Sequence, residues 1–200
     1  MNIPALFSFI DKASSRLTHL DFIPLLALRL YLVPVFWVAG MNKLNDMDSV
    51  ISWFGNSEWG LGLPFPELLA WLATLTELGA AILLVVGLAV RWISIPLIIT
   101  MLVAIFAVHW PNGWQAVADP QSPFASQDIE DVINRLGFAR DILKEHGNYA
   151  WLTERGSIVI SNNGIEWATT YLIMCLVLLT NGGGRYLSLD YYIKKACNKP

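Results

Sequence analysis

Five ionisable residues lie within or at the ends of apolar stretches of this 200-residue chain: Arg29, Lys43, Glu77, His109 and Glu166. A charge at the depth of a bilayer costs about 2.5–3.5 kcal/mol on insertion scales, so such a residue usually turns inward toward a partner. A basic and an acidic group that meet there can form an ion pair. Groups with spare hydrogen-bonding capacity can hold a polar ligand. These five residues are therefore the candidate chemistry of the chain.

The first expectation concerns Arg29 and Glu77. Arg29 shares one helical stripe with Gly40 and Lys43, and Gly40 leaves room for a neighbouring helix to approach. Arg29 lies about six residues from one end of its apolar segment, and Glu77 lies about eleven residues from the opposite end of the next. At about 1.5 Å per residue, these depths nearly match for long side chains. We predict that Arg29 and Glu77 form an ion pair.

A second polar group is expected at the other end of the apolar segments. Lys43, His109 and Glu166 each fall within about one helical turn of the same boundary. Together with the Arg29–Glu77 pair they could line a polar pocket that binds a quinone head. The alternative is purely structural. In that reading the predicted ion pair fixes the helix register, and the other three residues are interface residues that reach toward water.

Metal and haem chemistry have weaker support in the sequence. The two cysteines, Cys175 and Cys197, form no C-x-x-C pattern, which argues against a dithiol relay. His109 is the only histidine in an apolar segment, so haem ligation by paired histidines is not favoured. Met41, Met47 and His109 offer ligands soft enough for copper, but their spacing does not require a site. We therefore assign no metal ligand from the sequence.

The elements that position these residues are predicted to be membrane spans. Hydrophobic residues make up 55% of the chain and charged residues 14%, with a mean hydropathy of +0.50. A span needs about 20 mostly apolar residues. Four segments qualify, at about 22–44, 66–90, 92–110 and 165–181. The second and third are nearly contiguous and must form a tight antiparallel hairpin, so we expect an all-α, antiparallel four-helix bundle forming a single domain over residues 1–200.

Two further elements are expected outside the spans. Residues 3–17 have the pattern of a short amphipathic helix lying in the membrane interface. The loop at 111–163 is too long for a simple connector. Apolar residues recur at helical spacing from Ser126 to His146, which predicts an amphipathic helix. The stretch at 151–160 alternates around a glycine-containing turn, which predicts a short hairpin.

Charge predicts the orientation and excludes one class of partner. Basic residues near span ends are more abundant on the cytoplasmic side of membrane proteins. One side of the predicted bundle has most of them: Lys12, Arg16, Arg91, Arg185, Lys194, Lys195 and Lys199. Both termini are therefore expected in the cytoplasm and the long loop outside. The formal net charge of −3 gives no basic footprint for nucleic acid.

Several short motifs resemble those of the DoxX family of small four-helix membrane proteins. The residues that carry the resemblance are Arg29, Gly40 to Leu44, Glu77 to Gly79, Gly87 with Leu88, and Gly184 to Asp190. The resemblance implies an antiparallel four-helix bundle in the bacterial inner (cytoplasmic) membrane. It also implies an association with electron transfer, because the family includes subunits of a thiosulfate:quinone oxidoreductase. It assigns no reaction to any of these residues.

Two functional hypotheses follow from the resemblance. In the first, the protein is a redox- or quinone-associated membrane component, with or without a catalytic role as a subunit of a membrane oxidoreductase. Its candidate ligand-binding residues are Arg29, Gly40, Lys43, Glu77, His109 and Glu166. In the second, the long outer loop is similar to a branch found beside systems that make modified metal-binding peptides. That branch implies a non-enzymatic partner or transporter for a copper-binding peptide on the periplasmic side.

Overall fold

The computed structural model describes residues 18–198, and these residues are mainly helical, with one isolated β-bridge. They fall into two compact units, one made of residues 18–100 and 171–198 and the other of residues 101–170. The interfacial helix expected at residues 3–17 lies outside the described residues. The expectation of a single domain stays a prediction.

The α-helices follow one another with short connections, apart from the segment between the third and fourth predicted spans. In chain order they are α1 (Phe22–Asn45), α2 (Met47–Gly55), α3 (Pro66–Val86), α4 (Val90–Val103), α5 (Ile129–His146), α6 (Tyr149–Leu152), α7 (Glu166–Asn181) and α8 (Leu189–Cys197). A π-helix at Ala104–His109 and a 3-10 turn at Trp110–Asn112 continue α4, and a further 3-10 turn at Thr18–Leu20 precedes α1.

Three helical segments among the described residues are long and apolar enough to cross a membrane: Phe22–Asn45, Pro66–Val86 and Val90–Asn112. They correspond to the first three predicted spans. The fourth predicted span is α7, which has only 16 residues. These three long apolar helices identify the protein as a multi-pass membrane protein.

In the first unit, α1 packs mainly against α3, and the contact faces follow helical spacing. The buried residues of α1 include Arg29, Leu32, Phe36 and Gly40. Those of α3 are Ala70, Thr74, Glu77, Ala80, Ala81 and Leu84. The large apolar side chains on the other faces of α3, such as Leu68, Leu75 and Ile82, are mostly exposed. Such exposure is a feature of helices whose outer faces meet lipid.

The connection between α3 and α4 has only three residues, and it is the tight turn that the sequence predicts. α3 ends at Val86 and is capped by Gly87, which has a φ of +68° and donates its backbone N–H to Leu83 O. Ala89 also has a positive φ, of +51°. Glycine at Gly87 adopts this left-handed conformation without the steric cost that a side chain would add.

The second unit contains the long loop. Helix α5 occupies the segment in which helical periodicity predicts a helix. The hairpin predicted at 151–160 is wrong, because Asn148 accepts a hydrogen bond from the backbone N–H of Trp151 and starts the short helix α6. The chain from 160 to 162 pairs instead with 116–118. The backbone N–H of Ala118 donates to Ile160, and that of Asn162 donates to Ala116.

Candidate functional site

Arg29 is fully buried, and its guanidinium donates to backbone carbonyls from two distant segments. Nε donates to Leu84 O at 2.8 Å and Nη2 to Val85 O at 3.0 Å. Nη1 donates to Gly183 O at 2.7 Å and to Leu187 O at 2.9 Å. The last carbonyls of a helix have no partner within that helix and sit at the negative end of its dipole. Arg29 therefore caps the C-terminal end of α3.

The C-terminal segment contacts the same turn with polar side chains of its own. Ser188 Oγ donates to Gly87 O at 2.8 Å, and the backbone N–H of Asp190 donates to the same oxygen at 3.0 Å. The Asp190 carboxylate accepts from Ala89 N at 2.7 Å and from Val90 N at 2.9 Å. A carboxylate at this position satisfies unpaired N–H groups at the start of α4 and complements its dipole.

We call this assembly the Arg29 clamp. It consists of Arg29, the turn at residues 84–90 and the C-terminal segment at residues 183–190. The polar side chains of the clamp form hydrogen bonds with backbone groups of the clamp itself, and these bonds account for their burial. The clamp ties the start of α1, the α3–α4 turn and the chain after α7 together.

Lys43 and Glu77 form a separate ion pair between α1 and α3. Lys43 Nζ lies 2.8 Å from Oε1 and 2.7 Å from Oε2 of Glu77. The Lys43 side chain is 25% exposed, whereas that of Glu77 is only 4% exposed. Unlike the Arg29 clamp, this pair caps no backbone group in the described chain.

The ion pair predicted between Arg29 and Glu77 is therefore wrong. Nε of Arg29 donates to Leu84 O. Leu84 lies seven residues after Glu77 in α3, which is about 10 Å along the helix axis. Glu77 is instead level with Gly40, one turn from Lys43. Side chains on a helix lean toward its N-terminus, which brings the Lys43 ammonium back to this level.

Gly40 allows the close approach of α1 and α3 that its position predicts. A methyl group at this position would lie 2.7 Å from Leu78 Cγ and 3.2 Å from Leu78 N. The two helices therefore meet at Gly40, immediately beside the Lys43–Glu77 pair. Residues Gly40, Lys43 and Glu77 belong to one site.

His109 and Glu166, in the second unit, bond to the backbone of the long loop. His109 Nδ1 lies 2.9 Å from Asn163 O, a contact that requires the proton on this nitrogen. One Glu166 carboxylate oxygen accepts from Ala116 N at 2.9 Å. Lys43 is the third residue that was expected in this cluster, and its ammonium group is bonded to Glu77. Each of the three has its own partner, and the shared cluster stays a prediction.

The described residues contain no group of three or more histidine, cysteine, aspartate or glutamate side chains arranged to hold a metal ion. Cys175 and Cys197 are both free thiols, the first buried and the second exposed. The Lys43–Glu77 ion pair, with Gly40 beside it, is the candidate site.

Sequence reasoning missed the roles of Gly183, Ser188 and Asp190. Ser188 and Asp190 bond to partners about 100 positions earlier in the chain, and Gly183 bonds to Arg29, 154 positions earlier. No local pattern encodes a contact of that separation. The available signals were the polar Ser188 and Asp190 after a glycine run at the end of an apolar helix, and the place of Gly184 to Asp190 in the family resemblance.

Part of the chain matches a known protein family. Residues 24–110 match the model of the DoxX family, described simply as DoxX. The matched segment contains Arg29, Lys43, Glu77 and Gly87, so the resemblance seen in the sequence is confirmed over that part of the chain. No curated protein sequence and no solved structure matches the chain.

Proposed function

We propose that this DoxX-type integral membrane protein is a redox-associated component of a bacterial inner membrane and that Lys43 and Glu77 hold the head of a quinone. The observation that supports the proposal is the Lys43–Glu77 ion pair between two span-forming helices. Ionisable groups at this depth are costly, and they commonly mark a ligand or ion pathway. Arg29 has a complete structural role in its clamp, whereas the Lys43–Glu77 pair has none beyond its own contact.

The donor capacity of Lys43 suits a carbonyl ligand. An ammonium group has three N–H donors, and the Glu77 carboxylate takes up two of them. Among residues 18–198 the third N–H has no acceptor, so it can donate to a quinone carbonyl oxygen. The partial exposure of Lys43 gives access from the membrane, while the buried Glu77 stays behind it. Lys43 would orient the quinone head, and the pair would hold a proton beside it.

A bound quinone supplies two-electron redox chemistry, and the electrons must come from elsewhere. Residues 18–198 present no cluster of metal-binding side chains that could carry them. We propose that a partner subunit supplies the electrons and that this chain is the membrane component of the assembly.

We also propose that α7 is a fourth span and that both described ends of the chain face the cytoplasm. The end of α7 and the starts of α1 and α4 line one cleft. The rings of Tyr31 in α1 and Tyr171 in α7 lie 6.5 Å apart, which places the two helices side by side. The basic residues Arg91 and Arg185 line the same cleft, as the positive-inside bias requires of a cytoplasmic end.

The quinone content of purified protein tests the proposal. Removing both charges with Lys43→Met and Glu77→Leu leaves no unpaired charge in the membrane, so the variant should fold. A matched control, Lys144→Met with Asp141→Asn, removes an exposed ion pair on α5. Organic extraction should recover quinone from the wild type and the control but not from the Lys43/Glu77 variant. Equal quinone in all three proteins would refute the proposal, and copper or peptide without quinone would favour the peptide-partner hypothesis.

A further inference from the structure

The first unit contains an open cleft of about 1000 Å³ at the end of the helices opposite the Lys43–Glu77 pair. Its walls come from the start of α1, the start of α4, the end of α7 and helix α8. Four basic side chains line it: Arg91, Arg185, Lys194 and Lys195. The Arg29 clamp lies directly beside it, because Gly183 and Asp190 belong to both.

The acidic side chains of the cleft are already bonded to other groups. Asp21 pairs with Arg185 at 3.3 Å, and Asp190 is bonded to backbone N–H groups at the start of α4. Within residues 18–198, Arg91, Lys194 and Lys195 have no acidic partner. With four basic and two acidic side chains, the cleft carries an excess of two positive charges.

The side chain of Arg91 packs closely against Gly182, at the end of α7. Gly182 has a φ of +79°, and a methyl group there would lie 3.1 Å from Arg91 Nε. The guanidinium therefore packs against the backbone of the turn after α7. Arg91 is exposed, and its side chain lies along this turn at the wall of the cleft.

The surroundings of the cleft are those of a membrane interface. Helix α8 exposes the apolar side chains of Leu189, Tyr192 and Ile193, while Lys194 and Lys195 of its last turn line the cleft. A short amphipathic helix with basic residues on its polar side commonly lies in the headgroup layer. Trp92, at the cleft and 76% exposed, is a side chain that favours the same layer.

We propose that this cleft binds the phosphate groups of an anionic glycerophospholipid headgroup, with Arg91, Lys194 and Lys195 as its ligands. Basic pockets between membrane helices on the cytoplasmic side bind headgroups of this kind. The excess of two positive charges matches a lipid with two phosphates, such as cardiolipin, better than one with a single phosphate. Because Asp190 and Gly183 adjoin both sites, the bound lipid also stabilises the Arg29 clamp.

Native mass spectrometry of the full chain in detergent tests the proposal, with cardiolipin, phosphatidylglycerol and phosphatidylcholine added separately. We expect cardiolipin to bind most tightly and phosphatidylcholine not to be retained. Lys194→Gln with Lys195→Gln should weaken cardiolipin binding by about fivefold for each cation removed, or about 25-fold in total. Lys194→Arg with Lys195→Arg keeps both charges and should bind like the wild type.

The matched control is Arg135→Gln with Lys144→Gln, which removes two exposed basic side chains from α5. It changes the net charge by the same amount and should leave lipid binding intact. Equal retention of all three lipids, or an equal loss in this control, would overturn the proposal. Displacement of cardiolipin by millimolar inorganic phosphate would assign the cleft to a soluble phosphate and would overturn the lipid assignment.

Discussion

A methyl group on Gly87 would lie 2.6 Å from Nη2 of Arg29, so the glycine and the buried guanidinium occupy complementary space. The same glycine adopts a left-handed backbone conformation, and its carbonyl oxygen accepts hydrogen bonds from Ser188 and Asp190. Glycine is therefore required at position 87 both by the left-handed backbone conformation and by the space that the Arg29 guanidinium occupies. The α3–α4 turn and Arg29 form one structural unit.

Gly87→Ala is expected to destabilise the protein by about 2–5 kcal/mol, because the alanine adds left-handed backbone strain to an overpacked contact. The thermal unfolding midpoint in detergent is the measurement. Gly79→Ala is the control, since a methyl group there would meet nothing within 4 Å. That control should be neutral or slightly stabilising, because alanine favours a helix interior over glycine. Equal midpoints for Gly87→Ala and the wild type would contradict the clamp.

Asp190→Asn is expected to cost about 1–3 kcal/mol, the usual cost of leaving a hydrogen-bond donor without its partner. The amide keeps one acceptor oxygen, so one of the N–H groups of Ala89 and Val90 loses its partner, and the favourable charge at the start of α4 is removed. Thermal unfolding and the rate of proteolysis within residues 183–198 would report the change. Asp141→Asn on the exposed face of α5 should alter neither measurement, and a similar effect of both substitutions would argue against a specific cap.

The long helices could be predicted from the sequence because their signals are local. The spans predicted at 22–44 and 66–90 correspond to helices Phe22–Asn45 and Pro66–Val86. Their hydropathy, and the proline at the start of the second, are readable without any tertiary contact. The second helix is shorter than predicted because Gly87 ends it by adopting a left-handed conformation.

The polar contacts could not be predicted in the same way. Helix depth alone predicts Glu77 as the partner of Arg29. The observed partner, Leu84 O, lies about 10 Å farther along α3. The alternative partners of Arg29 are backbone carbonyls, which every residue has, so the sequence gives no sign of which ones are unpaired. Gly183 and Leu187 reach Arg29 only because the chain returns after α7.

The proposed cytoplasmic placement of the C-terminal segment can be tested through Cys197. This thiol is exposed, whereas Cys175 is fully buried in α7. A membrane-impermeant maleimide should therefore label Cys197 in inverted membrane vesicles and not in intact spheroplasts. Cys197→Ser should abolish the labelling, which confirms that Cys175 does not contribute. Labelling from the outside would place the cleft and α8 on the opposite face and would contradict the proposed orientation.

Coupling energies distinguish the observed ion pair from the one predicted from the sequence. Lys43→Met and Glu77→Leu should each destabilise the protein, because each leaves a charge unpaired within the membrane, and the double variant should recover part of the loss. Their coupling should be at least about 1 kcal/mol, as for residues in contact. Arg29→Met and Glu77→Leu should instead be additive to within about 0.5 kcal/mol, because their hydrogen-bond networks share no residue. Reversible unfolding of the wild type, the three single variants and the two double variants gives both values. A coupling larger for Arg29 with Glu77 than for Lys43 with Glu77 would mean that the two helices pack in a different register.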